Sequence, residues 1–323
     1  MLTTGRDGDN GNVVPLRRPQ PVVAEGESWP LPALLLGARL KTLRGLQHQK
    51  TLIENTGYSA TLYSRIEAGA TRIDKPEGIA LILKKLGVPA GPEFDQLMGL
   101  ARDASVPGWA SSFRSAYRDA VPEAMVRLSE LESRASHLYS VETGFVPGLL
   151  QSDAYRTAVT ERTLRPSQLP LAQQVVNLRA ERTRRFFAAE PPPRSVFFLR
   201  ENVLRQVIGS RGLMVEQLER LLHFVETPQI GVRIIPMDLQ LALQVSSVTR
   251  LDFEGQLFAV PSVIYNEWAG RGEYYRGPLD GEASSDDFTD FRRVIDDAVR
   301  LAPGRDESRL LIIEALKAHR SRM

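Results

Sequence analysis

Between Gln49 and Gly69 the chain reads Gln-Lys-Thr-Leu-Ile-Glu-Asn-Thr-Gly-Tyr-Ser-Ala-Thr-Leu-Tyr-Ser-Arg-Ile-Glu-Ala-Gly. With Ser59 as the cap of a short helix, Ala60, Thr61, Ser64 and Arg65 occupy its first turn and its outer face. These side chains suit hydrogen bonding to base edges. A guanidinium at Arg65 can donate twice to guanine O6 and N7, and the methyl of Ala60 can touch thymine. Gln49 stands at the start of the preceding helix, where a side-chain amide and the helix dipole both favour a phosphate. Lys50, Arg39, Arg44 and Arg72 add cations that position rather than specify, and such contacts weaken steeply with salt.

Bond-making chemistry finds no comparable support. The four histidines (His48, His137, His223, His319) are scattered, and there is no cysteine. Thiolate chemistry, disulfides and thiolate metal sites are therefore excluded, and no His spacing assembles a metal centre. No Gly-x-Ser-x-Gly elbow or phosphate-binding glycine loop occurs. Asp286, Asp287 and Asp290 lack the alternating ligands and glycine of an EF-hand. The expectation is a protein that is not an enzyme and holds no cofactor or metal.

The elements that must position Gln49 to Gly69 read as short helices. Leu36, Leu40 and Leu43 form a helix stripe; Leu52, Ile53 and Thr56 mark a second helix stopped at Gly57. Gly57 tolerates the positive φ of a tight turn, and in the third helix Tyr63 and Ile66 face inward before Gly69 closes it. Pro76 suits a first turn, followed by Ile79, Ile82, Leu83 and Leu86; Phe94, Leu97, Met98 and Ala101 repeat the pattern. Five helices make an all-α domain over 33–104. From Arg39 to Arg72 six basic residues face two acids, a local excess within a chain whose formal net charge is only +2.

Residues 1–32, with prolines at 15, 19, 21, 30 and 32, read as a loose tail. The longest apolar run near the start, Leu34 to Leu36, is far too short for a membrane span. The expected setting is cytoplasmic, on the nucleoid. After the break at Ser105-Val106-Pro107-Gly108-Trp109, residues 105–323 read as an α+β domain. Helices are expected over about 114–140, 152–164, 168–188, 213–226, 286–301 and 308–319. Strands are expected at Val196–Arg200, Val232–Ile234 and Thr249–Phe253, the last turning at Gly255 into Leu257–Tyr265 as a hairpin. The acidic stretch Asp280 to Asp290 reads as a loop leading into a helix. Arg179, Arg182, Arg184 and Arg185 read first as an ion-pair face, with nucleic-acid contact as the alternative. Val146 to Leu150 reads as a packed corner between helices or a pocket wall. The aromatic group Tyr265, Trp268, Tyr274 and Tyr275 reads as packing or a docking site.

Leu36-Gly37-Ala38-Arg39-Leu40, Gln49, Leu52, Gly57, Ser64-Arg65-Ile66-Glu67 and Gly69 together resemble the XRE family, the lambda-repressor-like, Cro/cI-type helix-turn-helix regulators. Thr56, Tyr58 and Tyr63 stand where that family prefers aliphatic residues, and Ala60 replaces a usual polar reader. Further along, Glu142-Thr143-Gly144-Phe145-Val146-Pro147-Gly148-Leu149-Leu150-Gln151-Ser152-Asp153-Ala154-Tyr155 resembles regulators of the actinobacterial WhiJ type, antitoxin-like proteins with an XRE domain at the front. Arg179 to Arg182, Met214 to Leu222 and Val232 to Pro236 follow in that family's order. The resemblance implies transcription regulation through a five-helix DNA-binding domain, and a small partner protein encoded nearby. The partners expected are double-stranded DNA, a second copy of the chain because one short helix reads few base pairs, and no membrane. The site would comprise Arg39, Gln49, Lys50, Ser59, Ala60, Thr61, Ser64, Arg65 and Arg72. Two alternatives remain open: an antitoxin-like adaptor that sequesters a small partner, and an enzyme fused to a DNA-binding module.

Overall fold

The structure is a computed structural model that describes residues 31–106, 108–117, 119–242, 244–254, 260–268, 271–278 and 283–323. The expected tail up to residue 30, the turn at Gly255 and part of the acidic stretch at 280–282 lie outside the described residues.

Five helices open the chain: α1 (Leu31–Arg44), α2 (Gln49–Ile53), α3 (Ala60–Glu67), α4 (Pro76–Lys85) and α5 (Pro92–Asp103). Their apolar stripes meet in one cluster built on Leu36, Leu40, Tyr63, Ile66, Ile79 and Leu97. Pro76 and Pro92 each stand in the first turn of their helix, where a missing N–H costs nothing. Helices α1 and α3 approach closely at Gly37. A Cβ there would lie 2.2 Å from the Ile66 carbonyl oxygen, 2.8 Å from the Gly69 nitrogen and 2.9 Å from the Glu67 carbonyl oxygen. All three are backbone atoms, so no side chain can swing aside. Gly37→Ala is expected to force the helices apart and cost about 1–3 kcal/mol of stability, the usual range for overpacking. Urea unfolding of the two proteins checks this; equal midpoints would mean that α1 can slide on α3 without loss.

The rest is α6 (Ser111–Ala116), α7 (Glu123–Glu132), β1 (His137–Glu142), α8 (Asp153–Thr163), α9 (Ala172–Phe187), β2 (Arg194–Arg200), α10 (Asn202–Arg205), α11 (Arg211–Val225), β3 (Ile230–Ile235), β4 (Ser247–Asp252), β5 (Val263–Trp268), β6 (Arg271–Arg276), α12 (Asp286–Leu301) and α13 (Arg305–Arg320). Short 3-10 turns at Gly148–Leu150 and Pro166–Leu171 precede α8 and α9 respectively. The six strands form one mixed sheet in the order β3-β2-β1-β4-β5-β6. The first three run parallel, and β4, β5 and β6 are antiparallel to their neighbours.

Alternation along the strands divides the sheet into two buried faces. Val141, Phe198, Val248, Ile264 and Tyr275 pack under α12 with Phe288, Val294 and Ile295. Leu138, Phe197, Leu251, Val263, Tyr265 and Tyr274 join a larger cluster with Leu131 of α7, Tyr155 of α8, Leu218 of α11 and Ile312 of α13. That cluster also includes Leu34, Leu35 and Ala70, so the helical region shares apolar contacts with the sheet region. Among the described residues no helix is long and apolar enough to cross a membrane.

Three expectations need correction. The helix drawn over 114–140 is instead α6, a turn, α7 and then β1 at the centre of the sheet. Strand β1 presents Leu138, Ser140 and Glu142 to one covered face and Tyr139 and Val141 to the other, so no polar-out alternation betrays it. Strand β6 was also missed, because adjacent Tyr274 and Tyr275 serve opposite faces and break the apolar period. Of the strand expected at Leu257–Tyr265, residues 257–259 lie outside the described residues, Val260 to Ser262 are not strand, and β5 runs over Val263–Trp268, antiparallel to β4.

Candidate functional site

Helices α2 and α3 are joined through Asn55 and Gly57, both with positive φ (59° and 79°). Glycine takes that conformation without steric cost, and here Lys75 lies over it, its Nζ 3.5 Å from where a Cβ would stand. Ser59 caps α3, its hydroxyl accepting from the Leu62 N–H at 3.2 Å. Lys85 closes the other end of α2, donating to the carbonyls of Thr51 at 3.1 Å and Glu54 at 2.6 Å. With both ends satisfied, α3 turns Tyr63 and Ile66 into the core and leaves Ser59, Ala60, Thr61, Ser64 and Arg65 exposed.

Two of the polar residues in this core find partners, while the hydroxyl of Tyr63 is buried without a hydrogen bond. The Tyr58 hydroxyl donates to the Lys75 carbonyl at 2.5 Å, and the Thr56 hydroxyl donates to the Ile53 carbonyl at 2.6 Å. Tyr63 is fully buried beside Glu67; burial first, then that carboxylate, raises its phenol well above the ordinary range.

Glu67, itself buried, is the node of the arrangement. Its Oε1 accepts from Arg44 Nε at 2.5 Å, and its Oε2 accepts from Arg44 Nη2 at 3.0 Å and from Gln49 Nε2 at 2.7 Å. One carboxylate thus ties the end of α1, the start of α2 and the end of α3. Nothing in local spacing marked Glu67 as more than a member of the Ser64 to Glu67 run.

The nine residues expected at a DNA surface therefore divide. Lys50, Ser59, Ala60, Thr61, Ser64 and Arg65 lie exposed on α2 and α3. Gln49 is turned toward Glu67. Arg39 pairs with Glu93 of α5, its Nε donating at 2.9 Å. Arg72 is half-buried, close enough to favour the ionised form of Glu130 on α7, whose carboxyl is raised by burial. Lys75 and Lys85 are basic groups of this surface that a count ending at Arg72 did not reach.

A second concentration of polar groups lies in the sheet region. Arg182 forms a buried fork with Glu132 of α7, with both contacts at 2.6 Å, and Arg184 and Arg185 pair with Glu181. The ion-pair reading of this stretch holds for these three arginines. Arg179 is different: it lines, beside Arg182, a cavity of about 570 Å³, and its Nε is buried without a partner. Val146 to Leu149 form part of the same cavity wall as well as a packed turn. Of the aromatic group, Tyr265, Tyr274 and Tyr275 are buried in the sheet and Trp268 is 65% exposed.

Residues 125–314 match the family described as "Domain of unknown function (DUF5753)". No curated protein and no solved structure matches the chain.

Proposed function

We propose that this chain, which belongs to the DUF5753 family through residues 125–314, is a sequence-specific DNA-binding transcription regulator of the XRE, lambda-repressor-like kind. In this reading the five-helix region lays α3 in the major groove, and the sheet region senses an effector or recruits a partner. The observation that carries it is the two-sided character of α3: Tyr63 and Ile66 are buried while Thr61, Ser64 and Arg65 stand exposed on a helix capped by Ser59. A helix held by its inner face, with short donors and a guanidinium on its outer face, is suited to reading base edges. Lys50 and the lysines near the turn would hold the phosphates. One such helix reads only a few base pairs, so the protein is proposed to act as a homodimer on a two-fold operator, on the nucleoid.

Genome-wide occupancy of the wild type beside Arg65→Ala tests this. Losing a bidentate guanine contact is expected to weaken binding at preferred sites by about 1–3 kcal/mol, while weak, salt-sensitive binding elsewhere persists. Identical maps for the two proteins would remove Arg65 from the reading surface. No occupancy for either would sink the regulator, and a small protein copurifying in stoichiometric amount would then favour the antitoxin-like adaptor.

A further inference from the structure

The cavity lies between the central strands and helices α7, α8 and α9. Its floor is polar by construction of the sheet. Ser140 pairs in register with Thr249, and Thr249 with Tyr265; Glu142 pairs with Ser247, and Ser247 with Glu267. Two rows of polar side chains therefore cross three adjacent strands on one face, inside the molecule. Leu128, Phe145, Val146, Leu149, Val159 and Val175 supply an apolar wall. A volume of about 570 Å³ that joins a polar floor to an apolar wall is of the size that small-molecule sites offer.

Most of the charged groups in this cavity are satisfied by neighbours, while the Gln151 Oε1 is buried without a partner. Glu132 takes both contacts from Arg182. Glu142 Oε1 accepts from the hydroxyls of Ser140 and Ser247, each at 2.9 Å, and Tyr265 donates to Glu267 at 2.9 Å. Ser140 and Thr249 share a hydrogen bond at 3.0 Å. Arg179 stands apart: its Nε is buried without a partner, and its guanidinium donates to no described residue. Burial, with Arg182 alongside, lowers its pKa to about 10 against the influence of Glu267, so it remains a cation at neutral pH. Burial also pushes the Glu142 carboxyl, on the same cavity lining, up to about 8. Arg179 is partly buried, so a cation with no hydrogen-bonding side chain beside it faces the cavity and is open to an anionic ligand.

We infer that this cavity binds a small amphipathic organic acid, its carboxylate seated on Arg179 and its apolar body against the wall formed by Leu128, Phe145, Val146, Leu149, Val159 and Val175. A planar guanidinium matches a carboxylate two bonds at a time, which neither an alcohol nor an amine can reproduce. The inference rests on the sensing role proposed for the sheet region and gives that role a ligand class. It needs no DNA, so its test is independent of α3.

The test uses the full chain with octanoate, octanamide and octylammonium, probes with one apolar tail and different heads. Calorimetric titration and thermal unfolding at neutral pH, on wild type and Arg179→Met, give the readout. Octanoate is expected to bind at least about tenfold more tightly than octanamide, and Arg179→Met to erase that difference while leaving octanamide unchanged. Ligand-free Arg179→Met is expected to melt no lower than wild type, because it removes a partly desolvated charge that no described side chain hydrogen-bonds. Octanoate binding no better than octanamide, or a preference for octylammonium, would overturn the inference on wild-type protein alone. So would a markedly lower melting point for a folded Arg179→Met, which would make the guanidinium a structural strut. Octanoate binding with no genomic occupancy would sink only the DNA reading.

Discussion

Glu67→Ala is expected to cost about 3 kcal/mol of stability and to abolish specific DNA binding in the same stroke. Removing one partner of a buried ion pair leaves the other charge without compensation, at about 3–5 kcal/mol. The lower end applies because the Arg44 side chain keeps 17% of its surface exposed and can turn partly to water. One further group loses a contact: the Gln49 amide. Because the carboxylate joins α1, α2 and α3, its loss frees the relative angle of the helices that present Thr61, Ser64 and Arg65. Urea unfolding gives the stability, and a mobility-shift assay on a preferred site gives the binding. The double variant Arg44→Met with Glu67→Met separates charge from shape, since replacing both members by apolar groups of similar size is often nearly neutral. A loss in the double variant as large as in Glu67→Ala would show that the cost comes from losing the ion pair itself rather than from an Arg44 left uncompensated.

Much of the five-helix region could be read from the sequence because α3 and α4 each have one wet face and one dry face, whereas residues 32–38 of α1 are buried all round. Tyr63 and Ile66 of α3, or Ile79 and Ile82 of α4, repeat at helical spacing, and Ser59, Pro76 and Gly57 punctuate them. The central strand β1 could not, and its illegibility has the same origin as the cavity. A strand covered on both faces normally shows a continuous apolar run. Here Ser140 and Glu142 face the cavity from inside, which breaks both the run and the alternation. Arg179 and Arg182 stand on one helix, three residues apart, and look equivalent in the sequence. What separates them is Glu132, which comes from α7 and takes only Arg182. Whether an arginine is paired depends on contacts far along the chain, so local pattern recognises an ion-pair face but not its exception.

Glu142 makes the polar interior measurable through the pH dependence of stability. Burial raises its carboxyl to about 8, opposed by hydrogen bonds from Ser247 and Ser140; Glu267 raises it further and Arg182 lowers it. In the unfolded chain the group returns to about 4.3. Between those values the folded protein holds a proton that the unfolded chain has released. Stability from this group is therefore lost as pH rises from about 4.3 toward about 8, at up to about 1.4 kcal/mol per pH unit, and levels off above. Glu142→Gln presents an uncharged amide throughout and lacks that decline. The variant is expected to gain on wild type steadily between about pH 5 and pH 8, after which the two profiles run parallel. Glu130 and Asp287, also raised by burial, titrate in both proteins and cancel in the difference. Urea midpoints across that range measure the gap. A gap that stays constant would mean that Glu142 is ionised in the folded protein, and that the cavity floor carries a negative charge.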